Sequence, residues 1–165
     1  MKKALEVLNQ LERDGVIARY AIGGAVAAIF YMEPFATDDL DVFVLLPASS
    51  GSLLTVGPIY DALRARGYRE DRECMDVEGV AIQFLPAYNA LIEEALHEAS
   101  TVDYEGTATR VLRTEHLAAI MLDTARPKDR QRFAAFCEQA PLDNERLQDI
   151  LERHGLLERW RTWTT

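Results

Sequence analysis

Two glycines and two aspartates carry the strongest chemical signal in this chain. Gly23 and Gly24 end a short apolar stretch, and Asp39 and Asp41 flank Leu40 further on, within AIGGAVAAIFYMEPFATDDLDVFVLL. A strand that turns through glycines into a helix exposes backbone N–H groups where the helix dipole adds positive potential, so phosphate binds there without a basic side chain. Glycine suits such a place because a Cβ would hold phosphate oxygens away. On an extended strand Asp39 and Asp41 project to the same side. Two adjacent carboxylates repel unless solvated or bridged by a cation, and hard oxygen donors of this kind suit Mg²⁺ or Mn²⁺, which also coordinate substrate phosphates. Asp38 alternates to the other side and is at most a helper. Neither half is distinctive alone, because Gly-Gly is commonly a tight turn and Asp-x-Asp an exposed strand end. Together they supply the two things a nucleotide site needs.

The elements that must position these residues follow from hydropathy periods and breakers. Ala4, Val7, Leu8 and Leu11 recur at helical spacing and predict a surface helix over 3–14, ended by Asp14-Gly15. Ala18–Ile22 reads as a strand. The Ala-rich run from Ala25 to Met32 reads as a buried helix that Pro34 stops, since the residue before proline is pushed out of helical geometry. Leu40, Val42, Val44 and Leu45 make a second strand, followed by a loop through Pro47–Ser52. Val56, Ile59, Tyr60 and Leu63 give a helix with Pro58 in its first turn, stopped by Gly67. Tyr68–Val77 is charged and alternating, and Glu78-Gly79 predicts a hairpin turn into the strand Val80–Leu85. Leu91, Ile92, Ala95 and Leu96 mark another helix, and Ala108–Leu112 a weaker strand. Three helices follow, near 115–124, 128–138 and 144–154, separated by Arg126-Pro127 and Pro141.

That order predicts an α/β (α+β) fold: a mixed sheet flanked by helices, with a C-terminal helical extension. Residues 1–112 form the expected α/β core and 113–165 the helical extension packed on the same domain. At 165 residues one sizeable core is affordable. A net charge of −9 argues against tight, sequence-blind DNA binding, which needs many phosphate contacts from Lys and Arg. The densest basic run is Arg126-Pro-Lys128-Asp-Arg130-Gln-Arg132, either an exposed helix start or a set of phosphate contacts. No apolar run approaches the roughly 20 residues of a membrane span, and the N-terminus reads as an amphipathic helix rather than a secretory signal. Cys74 and Cys137 lack metal or redox spacing, which suits reduced thiols in a cytoplasmic protein.

Gly23-Gly24, a short apolar helix and then Thr37-Asp38-Asp39-Leu40-Asp41-Val42 together resemble the polymerase-β-like nucleotidyltransferase superfamily, whose signature is a Gly-Gly or Gly-Ser pair and an acidic–hydrophobic–acidic triplet on a strand. Within it the chain is most similar to small members related to AbiEii-type toxins and to minimal nucleotidyltransferases. Ile82-Gln-Phe-Leu-Pro86 with the helix Asn89–Ala95, and Glu115–Met121 leading to Ala125-Arg-Pro-Lys-Asp129, carry that narrower match over roughly residues 5 to 140. The resemblance implies a nucleoside triphosphate bound at Gly23, Gly24, Thr37, Gln83, Arg126 and Lys128. It implies Mg²⁺ (or Mn²⁺) on the catalytic pair Asp39 and Asp41, and transfer of a nucleoside monophosphate to a hydroxyl of a protein or RNA. A cognate antitoxin is the implied partner.

The chain departs from this pattern where it bears on turnover. Active members usually carry a third carboxylate on a later strand, and the matching position here is Gln83. Its amide oxygen can ligate a metal but cannot act as a base; Asp76, Glu78 and Asp103 are the candidates to substitute for it. Ala25 stands where a Ser often follows the glycines, Phe35 where relatives often have Arg, and Met121 where their helix commonly carries Lys. Two readings therefore stay open: a metal-dependent nucleotidyltransferase, or a catalytically silent protein of that fold that binds a nucleotide or a partner. The apolar tail with Trp160 and Trp163 either caps the chain's own core or forms an interface.

Overall fold

The structure is a computed structural model that describes residues 1–24, 27, 39–48 and 55–164. The expected helix over 25–32, most of the 47–52 loop, Thr37, Ala25 and Phe35 therefore lie outside the described residues, apart from Ala27, Pro47 and Ala48.

A seven-stranded mixed sheet organises the molecule, in the order β3-β4-β5-β2-β1-β7-β6. Its strands are β1 (Arg19–Ile22), β2 (Leu40–Leu45), β3 (Arg69–Asp71), β4 (Cys74–Val77), β5 (Val80–Pro86), β6 (Ser100–Tyr104) and β7 (Thr107–Val111). β2 runs antiparallel to β1 and parallel to β5, and β1 runs parallel to β7. The central strand β2 buries Leu40, Val42 and Val44 on one face and Phe43 on the other, as expected for a strand covered on both sides.

Three hairpins extend the sheet through two-residue turns. Glu78 and Gly79 have φ of 55° and 77°, Glu105 and Gly106 have 51° and 81°, and Arg72 has 57°. In the first two an aspartate accepts the glycine N–H, Asp76 Oδ1 from Gly79 and Asp103 Oδ1 from Gly106, both at 2.9 Å. The expected Glu78-Gly79 hairpin is present. The alternating stretch before it is itself a hairpin, β3–β4, and the strand near Ala108–Leu112 is one arm of another, β6–β7.

Helix α1 (Lys2–Arg13) buries Ala4, Leu5, Leu8 and Leu11. Its Asn9 Nδ2 donates to the Ala108 carbonyl at 2.9 Å, and its Oδ1 accepts from the Tyr20 hydroxyl at 2.6 Å, tying the helix to β7 and β1. Helix α2 (Gly57–Ala65) has Pro58 in its first turn, and α3 (Ala90–His97) is capped by Asn89, whose side chain accepts from the Ile92 N–H at 2.9 Å. Helix α4 (Thr114–Thr124) is buried nearly all round, which marks it as the pillar of the helical side. Around it pack α5 (Pro127–Gln139), α6 (Asn144–Arg153) and α7 (Leu157–Thr164). Trp160 and Trp163 meet buried Phe133 edge-to-face at 5.7 and 5.3 Å, so the aromatic tail covers the chain's own core. Among the described residues no helix is long and apolar enough to cross a membrane.

One ionic knot locks α3, α4 and α6 together. Glu94 Oε1 accepts from His116 Nε2 at 3.0 Å, its Oε2 pairs with His154 Nε2 at 2.9 Å, and the Arg153 guanidinium closes over both oxygens. The Arg153 bonds, then those of the histidines, outweigh burial and hold the Glu94 carboxyl down at about 2. His116 is fully buried; burial pushes its pKa down, the Glu94 bond and the Glu94 and Glu98 charges oppose that, and Arg146 adds to it. Both shifts have the same sign for acid. The unfolded chain takes up a proton on His116 near 6.5 that the fold resists, and on Glu94 near 4.5 that the fold refuses until about 2. Stability is therefore expected to fall as pH drops below about 6.5 and again between about 4.5 and 2. Calorimetric melting across that range checks it, and Glu94→Gln should shrink the lower limb; a melting temperature flat from pH 7 to 4 would refute the assignment.

Candidate functional site

Chain topology brings the sequence signals to one end of the sheet. β1 and β2 are antiparallel with Ile22 opposite Val42, so the chain leaving β1 passes directly beside Asp41. The Gly23 N–H donates to the Asp41 carbonyl at 2.9 Å, and the Ala27 N–H donates back to the Gly23 carbonyl at 3.1 Å, closing a helical turn right after the glycine pair. On the other side of β2, the parallel register sets Gln83 level with Asp41. β7 pairs parallel with β1 and delivers the chain to α4, whose C-terminus returns to the same place.

The two glycines have different reasons to be glycine. A Cβ on Gly23 would lie 2.3 and 2.5 Å from ring atoms of Phe43, so this position is a packing constraint, and its amide is already engaged in the sheet. Gly24 has φ +58°, and a Cβ there would lie 1.9 Å from Asp41 Oδ2. The backbone at Gly24 thus rests against the carboxylate itself, and its left-handed geometry makes that approach cheap only for glycine.

Gly24, Asp39, Asp41, Gln83, Arg126 and Lys128 all line one cleft of about 180 Å³. Six of the eight residues expected at the site therefore come together; Gly23 packs just behind it, and Thr37 lies outside the described residues. The cleft has three kinds of wall. Asp39, Asp41 and Gln83 form an oxygen-rich end. Arg126, Lys128 and Arg132, from the start of α5, form a cationic side, and Leu85, Leu117, Ile120 and Met121 an apolar one. Tyr88, from the loop between β5 and α3, stands at its edge.

The cationic side is rigidly built. Ala125 ends α4 in left-handed geometry, and Pro127 occupies the first turn of α5. Buried Asp129 accepts the Arg126 Nε at 2.7 Å and Nη2 at 3.2 Å, and its Oδ2 lies 2.9 Å from the Thr124 hydroxyl. Arg126 is thereby held at the cleft mouth with its charge retained: the Asp129 bond raises its pKa further, as does Asp41.

Electrostatics ties the two ends together. Burial pushes the Asp41 carboxyl above its ordinary value, and Asp39 beside it pushes the same way. Arg126 and Lys128 pull it down, and Asp129 pushes it up again. The same two carboxylates act on half-buried Cys74, whose thiol is raised by burial first and then by Asp39 and Asp41, which keeps it an unreactive thiol.

The donor set suits a divalent cation. Asp39 and Asp41 line one end of the cleft, burial and the Asp39 charge disfavour ionised Asp41, Gln83 stands level with Asp41, and all three are hard oxygen donors. Among the described residues no group of three or more His, Cys, Asp or Glu is gathered for a metal. Asp39, Asp41 and Gln83 are the residues that would hold Mg²⁺ or Mn²⁺.

Sequence reasoning singled out Met121 on α4 but missed Tyr88, Leu117 and Ile120. Tyr88 sits in a short strand-to-helix loop with no periodic signal, and Leu117 and Ile120 carry no signal that separates a cleft wall from core.

No family model matches the chain, and no curated protein matches it by sequence. Solved structures do. An antigenic nucleotidyltransferase-like protein from Paracoccidioides brasiliensis superposes with a TM-score of 0.57 at 14% identity, over 92% of this chain and 85% of that one. ANT(2")-Ia in complex with adenylyl-2"-tobramycin gives 0.53 at 18% identity, over 96% and 95%. The solution structure of the antibiotic-resistance factor ANT(2")-Ia gives 0.52 at 16%, again over 96% and 95%. At these identities the likeness establishes the nucleotidyltransferase fold.

Proposed function

We propose that this protein is a metal-dependent nucleotidyltransferase that moves a nucleoside monophosphate from a nucleoside triphosphate to a hydroxyl on a protein or RNA. The observation that carries this reading is the meeting, in one cleft of a nucleotidyltransferase fold, of the Asp39–Asp41 pair, the Gly24 backbone and the Arg126–Lys128 cations. The complex of ANT(2")-Ia with an adenylylated product shows what a neighbour of this fold handles. A toxin role and a cognate antitoxin rest on the sequence resemblance alone, and a cytoplasmic setting on the spacing of Cys74 and Cys137.

Each wall has a task in that reaction. Arg126 and Lys128 neutralise the triphosphate and hold it in register, and Gly24 lets it approach the carboxylates closely. Asp39 and Asp41 would hold a Mg²⁺, which when bound would supply Lewis-acid stabilisation of the charge that develops on phosphate. The acceptor oxygen forms a bond to the α-phosphorus, the bond from that phosphorus to the bridging oxygen of the β-phosphate breaks, and pyrophosphate leaves with the electron pair. The acceptor proton passes to water, because the Gln83 amide can orient the hydroxyl but has no capacity to take its proton.

Gln83 is also the specific observation behind a second reading, a silent protein that binds nucleotide without turnover. Titration with ATP, CTP, GTP and UTP in Mg²⁺, paired with a pyrophosphate-release assay, separates the two. Steady release supports the transferase; binding without release supports the silent module. Gln83→Asp restores a carboxylate level with Asp41 and is expected to raise release by about 10²-fold or more, within the usual 10²–10⁴ for a placed general base. Absence of both binding and release in either protein would sink both readings.

A further inference from the structure

We infer that Tyr88 is the stacking platform for the nucleobase of the bound nucleotide, with Leu85 and Met121 forming the apolar wall of the same subsite. This rests on the nucleotide reading of the cleft and adds to it the place of the base. Among the described residues only two large hydrophobic side chains are exposed, Met1 at the terminus and Tyr88 at 50%. A solitary exposed aromatic means little on a convex surface. Tyr88 instead borders the cleft that holds Asp39, Asp41 and the cationic side.

Its mounting is rigid on both sides. The preceding Ala87 N–H donates to the Val44 carbonyl at 2.9 Å, fixing the loop to β2. The following Asn89 caps α3 and donates through Nδ2 to Asp123 Oδ2 at 3.0 Å, fixing it to α4. A backbone pinned on both sides presents the half-exposed ring from a fixed position, which lowers the ordering cost of stacking. The cleft is polar where the phosphates belong and apolar along Leu85 and Met121, both half-buried and so still able to cover a ligand. A nucleotide is divided the same way, with charged phosphates at one end and a polarisable ring at the other. Met121 adds a thioether, which makes favourable contacts with aromatic edges.

Stacking is tolerant of base identity because every base has a π face. The four nucleoside triphosphates are therefore expected to bind within about tenfold of one another, and a single base preferred by more than a hundredfold would overturn stacking as the main determinant.

The direct test compares Tyr88→Ala and Tyr88→Phe by calorimetric titration with Mg²⁺ complexes of ATP, CTP and inorganic tripolyphosphate. Tyr88→Ala is expected to weaken both nucleotides about 5- to 100-fold, the range for one lost aromatic–base stack, and to leave tripolyphosphate unchanged. Tyr88→Phe should bind like the parent. Fluorescence of 2-aminopurine riboside triphosphate should be quenched on binding to the parent and less so in Tyr88→Ala. The side chain is half exposed, so an unchanged melting temperature is expected for both variants. Equal weakening of tripolyphosphate, or unaltered nucleotide affinity in Tyr88→Ala, overturns the base subsite while the phosphate site stands. Failure of the parent to bind either nucleotide or tripolyphosphate overturns the nucleotide reading, and the subsite with it.

Discussion

Asp41→Asn is expected to lower Mg²⁺-dependent nucleotide affinity by about a hundredfold, and any pyrophosphate release by about a thousandfold, without lowering the melting temperature. The functional loss follows from charge: removing one pre-placed electrostatic contact to a developing phosphate charge typically costs 10²–10³ in rate, and a metal-binding carboxylate belongs at the top of that range. A thousandfold corresponds to about 4 kcal/mol of transition-state stabilisation. The stability side has the opposite sign. Asp41 is an acid whose charge is disfavoured by burial and by neighbouring Asp39, so its ionised form is a burden to the empty fold. Asparagine keeps the shape and removes that burden, so the melting temperature should stay level or rise. Function and stability opposing each other at one residue is the behaviour of a site residue, not of a structural one. Calorimetric titration, the pyrophosphate assay and thermal melting on the same preparation check it. A variant that keeps metal-dependent binding, or loses it only through a lower melting temperature, would show that the carboxylate serves the fold.

How much of this was legible in the chain differs from element to element. β2 was readable because Leu40, Val42 and Val44 alternate, and that alternation also placed Asp39 and Asp41 on one face. Gln83 came from the family resemblance; that it stands level with Asp41 is set by the parallel register of β5 on β2, a long-range pairing with no local signal. The β6–β7 hairpin was harder. Its turn, Asp103-Tyr104-Glu105-Gly106, repeats the pattern of Asp76-Val77-Glu78-Gly79, and the same aspartate-to-glycine bond forms in both. The signal was muted because β6 is an edge strand in which Thr101 and Asp103 face solvent and no residue is fully buried, so little hydrophobic period is needed. The cationic side was marked by the basic run and by family resemblance rather than by any period: Arg126 and Lys128 line the same cleft as Asp41 through a tertiary arrangement with no local signature. The division of labour between the two glycines was invisible for the same reason. Sequence marks both as glycine, and only the neighbours, Phe43 for one and Asp41 for the other, say why.

Gly24→Ala puts that last distinction to a quantitative test. Two penalties are expected to combine. A residue with a Cβ at φ +58° bears a left-handed strain of about 1–2 kcal/mol. The new Cβ would also lie 1.9 Å from Asp41 Oδ2, far inside contact distance, so either the carboxylate rotates away or the turn after β1 backs off. Both movements pull apart the surfaces that would hold a metal and a phosphate, and nucleotide affinity should fall by about the same hundredfold as in Asp41→Asn. The melting temperature should fall as well, by about 2–4 °C for each kcal/mol in a chain of this size. Gly23→Ala makes the contrast, because its Cβ meets the Phe43 ring and disturbs the core, with stability as the leading loss. The two Gly24 penalties separate in a double-mutant cycle with Asp41→Ala. Deleting the carboxylate removes the 1.9 Å clash with Oδ2 and leaves the strain and the tight 3.0 Å approach to the Asp41 Cβ, so Gly24→Ala on that background should cost clearly less than in the parent, though not less than the roughly 1–2 kcal/mol of left-handed geometry. A coupling energy near zero would mean that the Gly24 backbone and the Asp41 carboxylate do not bear on each other in solution. A double mutant that costs clearly less than the sum of the two single changes would mark the glycine as the residue that lets the backbone touch the metal-binding acid.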